Sequence, residues 1–222
     1  VRAGLVRLPL LNAGKARLFD LAFEDGRHFH WIACEGGLLR APVPLKRLSL
    51  AAGQRAEILV DFSDRKPVGL LHLLEVQRRS LPVLRFVPAG EPQPVRMPAR
   101  LARWDSKTVA QAAPRRRIVM ASGMASGMAG PGRGAMPMAM EGHGLHAMDG
   151  RSFDLRRIDQ RVRLGDVEVW EVDVDGMVMM HPFHMHGVHF EVLRRGGQEP
   201  VPEDQGRRDT VIVDEPVELL VH

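Results

Sequence analysis

The chain has 222 residues, of which 45% are hydrophobic, with a formal net charge of +4 and one cysteine, Cys34. This length can bury one large core or two ordinary ones, and no apolar run approaches the ~20 residues that a membrane-spanning helix needs. The basic residues are scattered or, at 115–117, lack interleaved aromatic rings, so no nucleic-acid surface is predicted. A single cysteine cannot form an internal disulfide.

Short apolar runs bounded by glycine, proline or aspartate predict a β-rich chain. In chain order these runs are Val6–Leu11, Arg55–Phe62, Leu70–Val76, Leu81–Val87, Val167–Val174 and Val188–Leu193. Their spacing is typical of antiparallel sandwiches and not of alternating strand–helix units. Four prolines between residues 88 and 98 predict an extended connector, which places a domain boundary between residues 88 and 117.

The stretch from Met120 to Met148 is unusually rich in methionine. It holds seven of the twelve methionines together with two histidines: Met120, Met124, Met128, Met136, Met138, Met140, Met148, His143 and His146. A thioether is a soft ligand that prefers Cu(I), whereas flexible methionines that fill core gaps are the alternative. Glycines and a proline between residues 123 and 134 favour a surface insertion that captures copper over a packed core.

The segment His181-Pro182-Phe183-His184-Met185-His186-Gly187 concentrates three imidazoles. Side chains two residues apart share one face of a strand, so His184 and His186 are expected on one side and His181 on the other. Pro182 interrupts regular strand pairing. Neutral imidazole is a common ligand for copper, zinc and iron, so the segment predicts one ring for one metal centre and two for a neighbouring one. Surface histidines on a strand and a lone zinc site are the alternatives.

This motif resembles the first C-terminal copper-binding segment of the multicopper oxidases, which reads His-Pro-x-His-x-His-Gly. The flanking segments Val167–Val172, Phe190–Leu193 and Arg208–Val213 are similar to the strands around it. The resemblance implies that His181 binds the mononuclear blue copper and that His184 binds the single normal copper of the trinuclear cluster. It implies that His186 binds one copper of the coupled pair.

The N-terminal third carries an independent resemblance. Segments Asp25–His30, Glu35–Leu39 and Leu48–Phe62 are similar to the middle cupredoxin domain of three-domain multicopper oxidases, especially bacterial cuprous oxidases of the copper-tolerance type. The implied fold is all-β, with two cupredoxin-like Greek-key β-sandwich domains. The expected divisions are a middle domain at 1–95, a linker at 96–117 and a C-terminal domain at 118–222 with a Met-rich insertion at 120–150. His28 and His30 match a strand without copper in the family and are expected to be structural.

The blue copper of the family also needs a cysteine and a second histidine from a His-Cys-His segment after Asp-Thr-Val. The chain stops at His222, ahead of any such segment, and Cys34 lies in the middle-domain match. We therefore expect an internal fragment that supplies three copper ligands, depends on the remaining domains of the oxidase and is inactive alone. The resemblance implies a periplasmic or extracytoplasmic location.

The resemblance implies a copper-dependent oxidase that takes electrons from Cu(I) and reduces O2 to water in four-electron steps, with a role in copper homeostasis. Bacterial cuprous oxidases carry Met- and His-rich insertions at this place, so the methionines and histidines between 120 and 148 are candidate substrate-copper ligands. Met177 and Met179 join them, although the family has an aspartate where Met177 stands. The alternatives are a laccase-type oxidase of phenols and a non-catalytic copper-binding protein. The intact histidine pattern argues against the copper-free cell-division relatives.

Overall fold

The computed structural model describes residues 1–92, 94, 96–105, 109, 113–122, 146–175 and 180–222. These residues form sixteen β-strands and a 3-10 turn at Pro202–Asp204, with no α-helix among them. Within this part of the chain, no helix has the length and apolarity needed to span a membrane. The chain divides into two compact units: the first comprises Val1–Ser106, His184–Glu191 and Val201–Val211, and the second Lys107–Phe183, Val192–Pro200 and Ile212–His222.

The first unit contains two four-stranded antiparallel sheets. One sheet contains, in spatial order, β1 (Leu5–Leu11), β6 (Arg55–Asp61), β3 (Phe29–Cys34) and β4 (Gly37–Leu45). The other contains β5 (Arg47–Leu50), β2 (Phe19–Phe23), β7 (Val68–Leu74) and β8 (Arg79–Phe86). Strands distant in sequence lie side by side, as β1 does with β6, which is the pattern of a β-sandwich with crossover connections.

Large apolar side chains from both sheets of the first unit meet in one core. Strand β6 alternates partly exposed and buried residues along its length, so Ile58 and Val60 face inward at period two. Aromatic rings fill the centre: the ring centroids of Phe62 and Phe86 are 5.1 Å apart, and those of Phe23 and Phe29 are 5.9 Å apart. Burying these rings supplies the main stabilising term of the sandwich.

The second unit is built on a six-stranded sheet. Its spatial order is β11 (Arg151–Ser152), β10 (His146–Met148), β9 (Ala113–Ser122), β12 (Glu168–Asp175), β16 (Val217–Val221) and β14 (Phe190–Arg195). Strands β9 and β12 pair in parallel, which departs from the antiparallel pairing expected from the sequence. Strands β9, β10 and β11 are antiparallel neighbours, so β11 runs in the same direction as β9 and β12. Residues 153–167 must therefore return along the sheet to connect the end of β11 with the start of β12. Strands β13 (His181–His184) and β15 (Thr210–Val213) form a separate two-stranded sheet.

The predicted all-β fold is confirmed, and the six runs proposed from the sequence correspond to β1, β6, β7, β8, β12 and β14. Residues 113–117, which the sequence assigns to the linker, lie in β9. Strand β12 neutralises two of the three arginines there: Arg116 pairs with Glu168, and Arg117 with Asp173 at 3.0 Å. The greater part of the predicted insertion, residues 123–145, lies outside the described residues.

Cys34 ends β3 in a buried position, where its thiol donates a hydrogen bond to the carbonyl oxygen of Arg207 at 3.1 Å. Burial raises the pKa of this thiol to about 11. At pH 8 roughly a thousandth of it is the reactive thiolate, so we expect iodoacetamide to label Cys34 far more slowly in the folded protein than after unfolding in guanidinium. Peptide mass spectrometry measures both rates. Equal rates would contradict the buried position.

Candidate metal centre

The histidine segment is positioned by β13 and the bend that follows it. Phe183 points inward, is 3% exposed, and has its ring centroid 6.5 Å from that of Trp170. Its strand neighbour His184 is exposed, as alternation along a strand requires, while His181 at the start of β13 is half-buried. Gly187 ends the segment with a φ of +76°, a left-handed conformation that strains residues with a Cβ.

The imidazole rings of His184 and His186 are neighbours. Their centroids are 4.8 Å apart and their planes meet at 68°, in agreement with the shared side expected from the spacing of two residues. Both residues are exposed. Two imidazoles presented together at a surface can offer nitrogen ligands to the same small metal site.

Hydrogen bonds to Asp209 and Thr210 fix the tautomer of His184. Its Nδ1 lies 2.9 Å from the Asp209 carbonyl oxygen and 2.9 Å from Thr210 Oγ1. The carbonyl can only accept, and the Thr210 hydroxyl uses its own proton on the Asp209 carboxylate at 2.7 Å. Nδ1 must therefore donate, which leaves the Nε2 lone pair of a neutral ring for a metal.

The Asp209 carboxylate is held in turn by Arg55. The guanidinium donates to both carboxylate oxygens, at 3.1 and 2.7 Å. Burial raises the pKa of Asp209, but the hydrogen bonds from Arg55 and Thr210 and the positive charge of Arg55 outweigh burial and hold the pKa below its usual value. Asp209 is therefore ionised at neutral pH and orients the Thr210 hydroxyl away from His184.

The loop that carries Asp209 is packed closely against the turn between β3 and β4. The Gly36 amide donates to the Arg207 carbonyl at 2.7 Å, and a Cβ on Gly36 would collide with that carbonyl. Gly206 has a φ of +94°, and a Cβ there would lie 2.6 Å from Cys34 Sγ. Two positions that admit only glycine thus fix the backbone that supplies the acceptors of His184.

Sequence reasoning gave no role to Arg55, Asp209 or Thr210. Arg55 and Asp209 are 154 residues apart, so no local pattern pairs them. Gln54 was missed for the same reason: it is 3% exposed and donates to the Thr210 carbonyl at 3.1 Å. The sequence signal is the Asp-Thr pair at the start of an apolar strand.

The remaining predicted ligands divide into three groups. Met120 on β9 is buried at 7% exposure, in line with the gap-filling alternative, whereas Met148, its register partner on β10, is 48% exposed. His146 is described only through its backbone pairing with Ser122. Eight candidates lie outside the described residues: Met124, Met128, Met136, Met138, Met140, His143, Met177 and Met179.

In the described part of the chain, no three or more His, Cys, Asp or Glu side chains converge as a metal site. The geometry of this part therefore offers one pair of neighbouring imidazoles, His184 and His186. A complete copper site would require further ligands in addition to this pair.

Comparison with known proteins finds similarity to multicopper oxidases and to cell division proteins. Residues 130–221 match the family model described as multicopper oxidase. The cell division protein FtsP of Rahnella sp. (strain Y9602) is 34% identical over 232 residues, and that of Escherichia coli (strain K12) is also 34% identical. Each alignment covers 100% of this chain and 45% of the relative, so the chain spans less than half the length of these relatives.

Solved structures agree on the fold. The laccase-like multicopper oxidase CueO from the lignin-degrading bacterium Ochrobactrum sp. superposes with a TM-score of 0.83 and 30% identity, covering 100% of this chain and 49% of that one. The multicopper oxidase of Pediococcus acidilactici gives 0.79 and 28%, covering 100% and 43%. The sheets are therefore those of cupredoxin-like β-sandwiches, as predicted. The chain is thus similar to multicopper oxidases in sequence over residues 130–221 and in fold over its whole length.

Proposed function

We propose that the chain is part of an extracytoplasmic multicopper oxidase that oxidises Cu(I) to Cu(II) and reduces O2 to water. The observation that carries the proposal is the bonding of His184: its Nδ1 donates to two acceptors beside the ring of His186, so Nε2 is the nitrogen left to bind a metal. Bound copper would supply reversible one-electron redox chemistry. The chain contributes the rings, their protonation state and their orientation.

The donor chemistry of these side chains fits copper. Neutral imidazole nitrogen is a good copper ligand, and a ring whose other nitrogen is hydrogen-bonded to a backbone carbonyl is held in position and made more basic. We assign His184 and His186 to the oxygen-reducing cluster and His181 to the blue copper, with the other ligands in the remaining domains of the same oxidase. The exposure of His184 and His186 allows such ligands to approach.

Cu(I) is the proposed substrate because soft donors are concentrated in the sequence between β9 and the end of β10. Met148 offers a half-exposed thioether on β10, and a thioether favours Cu(I) over harder ions. The other proposed substrate-copper ligands are the remaining methionines and histidines named above for 120–148, together with Met177 and Met179. A laccase-type oxidase of organic substrates would not need them.

Removing residues 123–145 from the full-length protein tests the substrate. Ser122 and His146 are paired across β9 and β10, so an Asn-Gly turn can join the two strands without disturbing the sheet. We expect kcat/KM for Cu(I) to fall by about 10–100-fold, the range that loss of supporting groups costs at metal sites. Oxidation of a small phenol should persist, because the copper centres stay intact.

The matched control for that deletion replaces residues 123–145 by a Gly-Ser segment of equal length. Both variants should lose Cu(I) oxidation if the methionines and histidines bring the ion. Wild-type Cu(I) kinetics in both variants would contradict the cuprous assignment and favour a laccase-type oxidase.

The second candidate is a non-catalytic protein, because relatives 34% identical along the whole chain carry the name cell division protein FtsP. Mass spectrometry of copper in the full-length, copper-loaded protein, combined with O2 consumption, separates the candidates. Bound copper with turnover supports the oxidase. Bound copper without turnover indicates a copper-binding protein, and absence of bound copper favours the role that those relatives' name describes.

A further inference from the structure

Gln54 is a buried polar side chain directly before β6, and it is 3% exposed. Its Oε1 accepts a hydrogen bond from the Ala51 amide at 2.7 Å, and its Nε2 donates to the Thr210 carbonyl at 3.1 Å. A backbone N–H can only donate and a carbonyl can only accept, so these partners fix the orientation of the Gln54 amide. The side chain thus connects the turn before β6 to a residue 156 positions later in the chain.

The turn that carries Gln54 is itself held by the buried residue Asn12. The Asn12 carbonyl accepts from the Gly53 amide at 2.9 Å, and the Asn12 amide donates to the Gln54 carbonyl at 3.1 Å. The Asn12 side chain, which is 2% exposed as a residue, donates from Nδ2 to the Leu50 carbonyl at 2.8 Å. Gln54 therefore presents its NH2 group from a backbone that hydrogen bonds already fix.

Gln54 and Arg55 together hold two consecutive residues, Asp209 and Thr210. Arg55 donates to the Asp209 carboxylate, and Gln54 donates to the Thr210 carbonyl. The same two residues supply both acceptors of the His184 ring, the Asp209 carbonyl and Thr210 Oγ1. All five residues lie in the first unit. Gln54 therefore fixes the backbone, and Arg55 the carboxylate, of the segment that orients His184.

We propose that Gln54 is a positioning residue for His184, the copper ligand assigned above. By holding the Thr210 carbonyl, Gln54 keeps the Thr210 hydroxyl next to His184 Nδ1 and the Asp209 carboxylate, where the hydroxyl proton is used on Asp209. Nδ1 then remains the donor, and Nε2 remains the nitrogen left for a metal. This role rests on the copper function proposed above, although the position of the ring itself requires no metal.

Nitrogen NMR of the metal-free, full-length protein with isotope-labelled histidine tests the role of Gln54. The shifts of the two ring nitrogens report which of them carries the proton, and His184→Ala identifies the signals of His184. Gln54→Met keeps the length of the side chain but leaves the Thr210 carbonyl without its donor. We expect the wild type to be protonated at Nδ1 of His184 and the variant to show a mixture of both tautomers. A wild-type spectrum of His184 in Gln54→Met would overturn the proposal.

Ile58→Val is the matched control for loss of stability. Ile58 lies on the same strand, β6, is 1% exposed and packs in the apolar core, so truncating it destabilises the first unit without touching the bonds of His184. It should lower the Tm and leave the His184 shifts unchanged. Equal tautomer changes in the two variants would show that Gln54 acts only through stability. Gln54→Asn, one methylene shorter, is the second variant if Gln54→Met does not fold, and it should show the same change.

Copper affinity of the full-length protein gives a second readout. Competition with a chelator should show copper bound about 10-fold more weakly by Gln54→Met, the lower end of what loss of a supporting group costs, and with unchanged affinity by Ile58→Val. Unchanged affinity in Gln54→Met would overturn the proposal. Absence of copper from the wild type would instead contradict the copper function itself, and the NMR comparison would still decide whether Gln54 positions the ring.

Discussion

His184→Ala in the full-length protein is expected to lower copper content and to reduce O2 consumption by at least about 100-fold. Losing a supporting group at a metal site costs roughly 10–100-fold, and loss of a ligand should cost no less. The ring also sits at the end of a hydrogen-bonded series from Arg55 through Asp209 and Thr210, which holds its Nε2 in position. Copper by mass spectrometry and O2 consumption with Cu(I) as donor measure the two effects.

His189→Ala is the matched control for this substitution. His189 is exposed and lies three residues after His186, close to the segment but without an assigned ligand role. The control should keep its copper and its turnover. Unchanged copper content in His184→Ala, with folding verified by circular dichroism, would contradict the assignment of His184 as a ligand.

The sequence predicted those parts of the site that depend on local periodicity. Adjacency of His184 and His186 follows from a spacing of two residues, and the apolar runs located the strands because burial of one face repeats every second residue. The partners of His184 were not predictable in this way. Asp209 reaches Arg55 across 154 residues, and their distance in space is set by packing of the loop at Gly36 and Gly206.

Contacts between residues distant in sequence also explain where the structure departs from the predicted fold. Residues 115–117 have the composition of a solvated linker, and only the position of β12 beside them makes a strand favourable. The local sequence shows that Arg116 is charged, but the buried carboxylate of Glu168 that neutralises it lies 52 residues away in the chain. The parallel pairing of β9 with β12 likewise depends on where the 153–167 connection runs, which no short window contains.

Glu168→Gln is expected to destabilise the second unit by about 2–3 kcal/mol at pH 7. The Glu168 side chain is almost fully buried and accepts hydrogen bonds from Arg116 Nε, from Arg116 Nη2 at 2.9 Å and from Trp170 Nε1 at 2.7 Å. Glutamine keeps the shape but removes the charge and turns an NH2 group toward donors. Arg116, partly solvated, recovers some of the loss through water. The shift of the urea midpoint measures the effect.

The pH dependence of this difference follows from the pKa of Glu168. The hydrogen bond from Arg116 holds the pKa below the usual 4.5, against the opposing effect of burial. A lowered pKa in the folded state means that the carboxylate contributes stability above the unfolded pKa and loses it as the pH falls through the folded value. The difference in the free energy of unfolding between wild type and Glu168→Gln should therefore be constant near pH 7 and shrink below pH 4.5.

Glu171→Gln provides the comparison on the same strand. Its carboxylate is 45% exposed and lies 3.6 Å from Arg117, and a solvated pair of this kind contributes about 0–1 kcal/mol. A large effect at Glu171, or a pH-independent difference at Glu168, would contradict the buried ion pair. Because Arg116 also holds the Arg161 carbonyl, Glu168→Gln should in addition increase hydrogen exchange in residues 153–164, whereas Glu171→Gln should not. One buried carboxylate then accounts both for the arginine in β9 and for the hydrogen bond that holds the connection at Arg161.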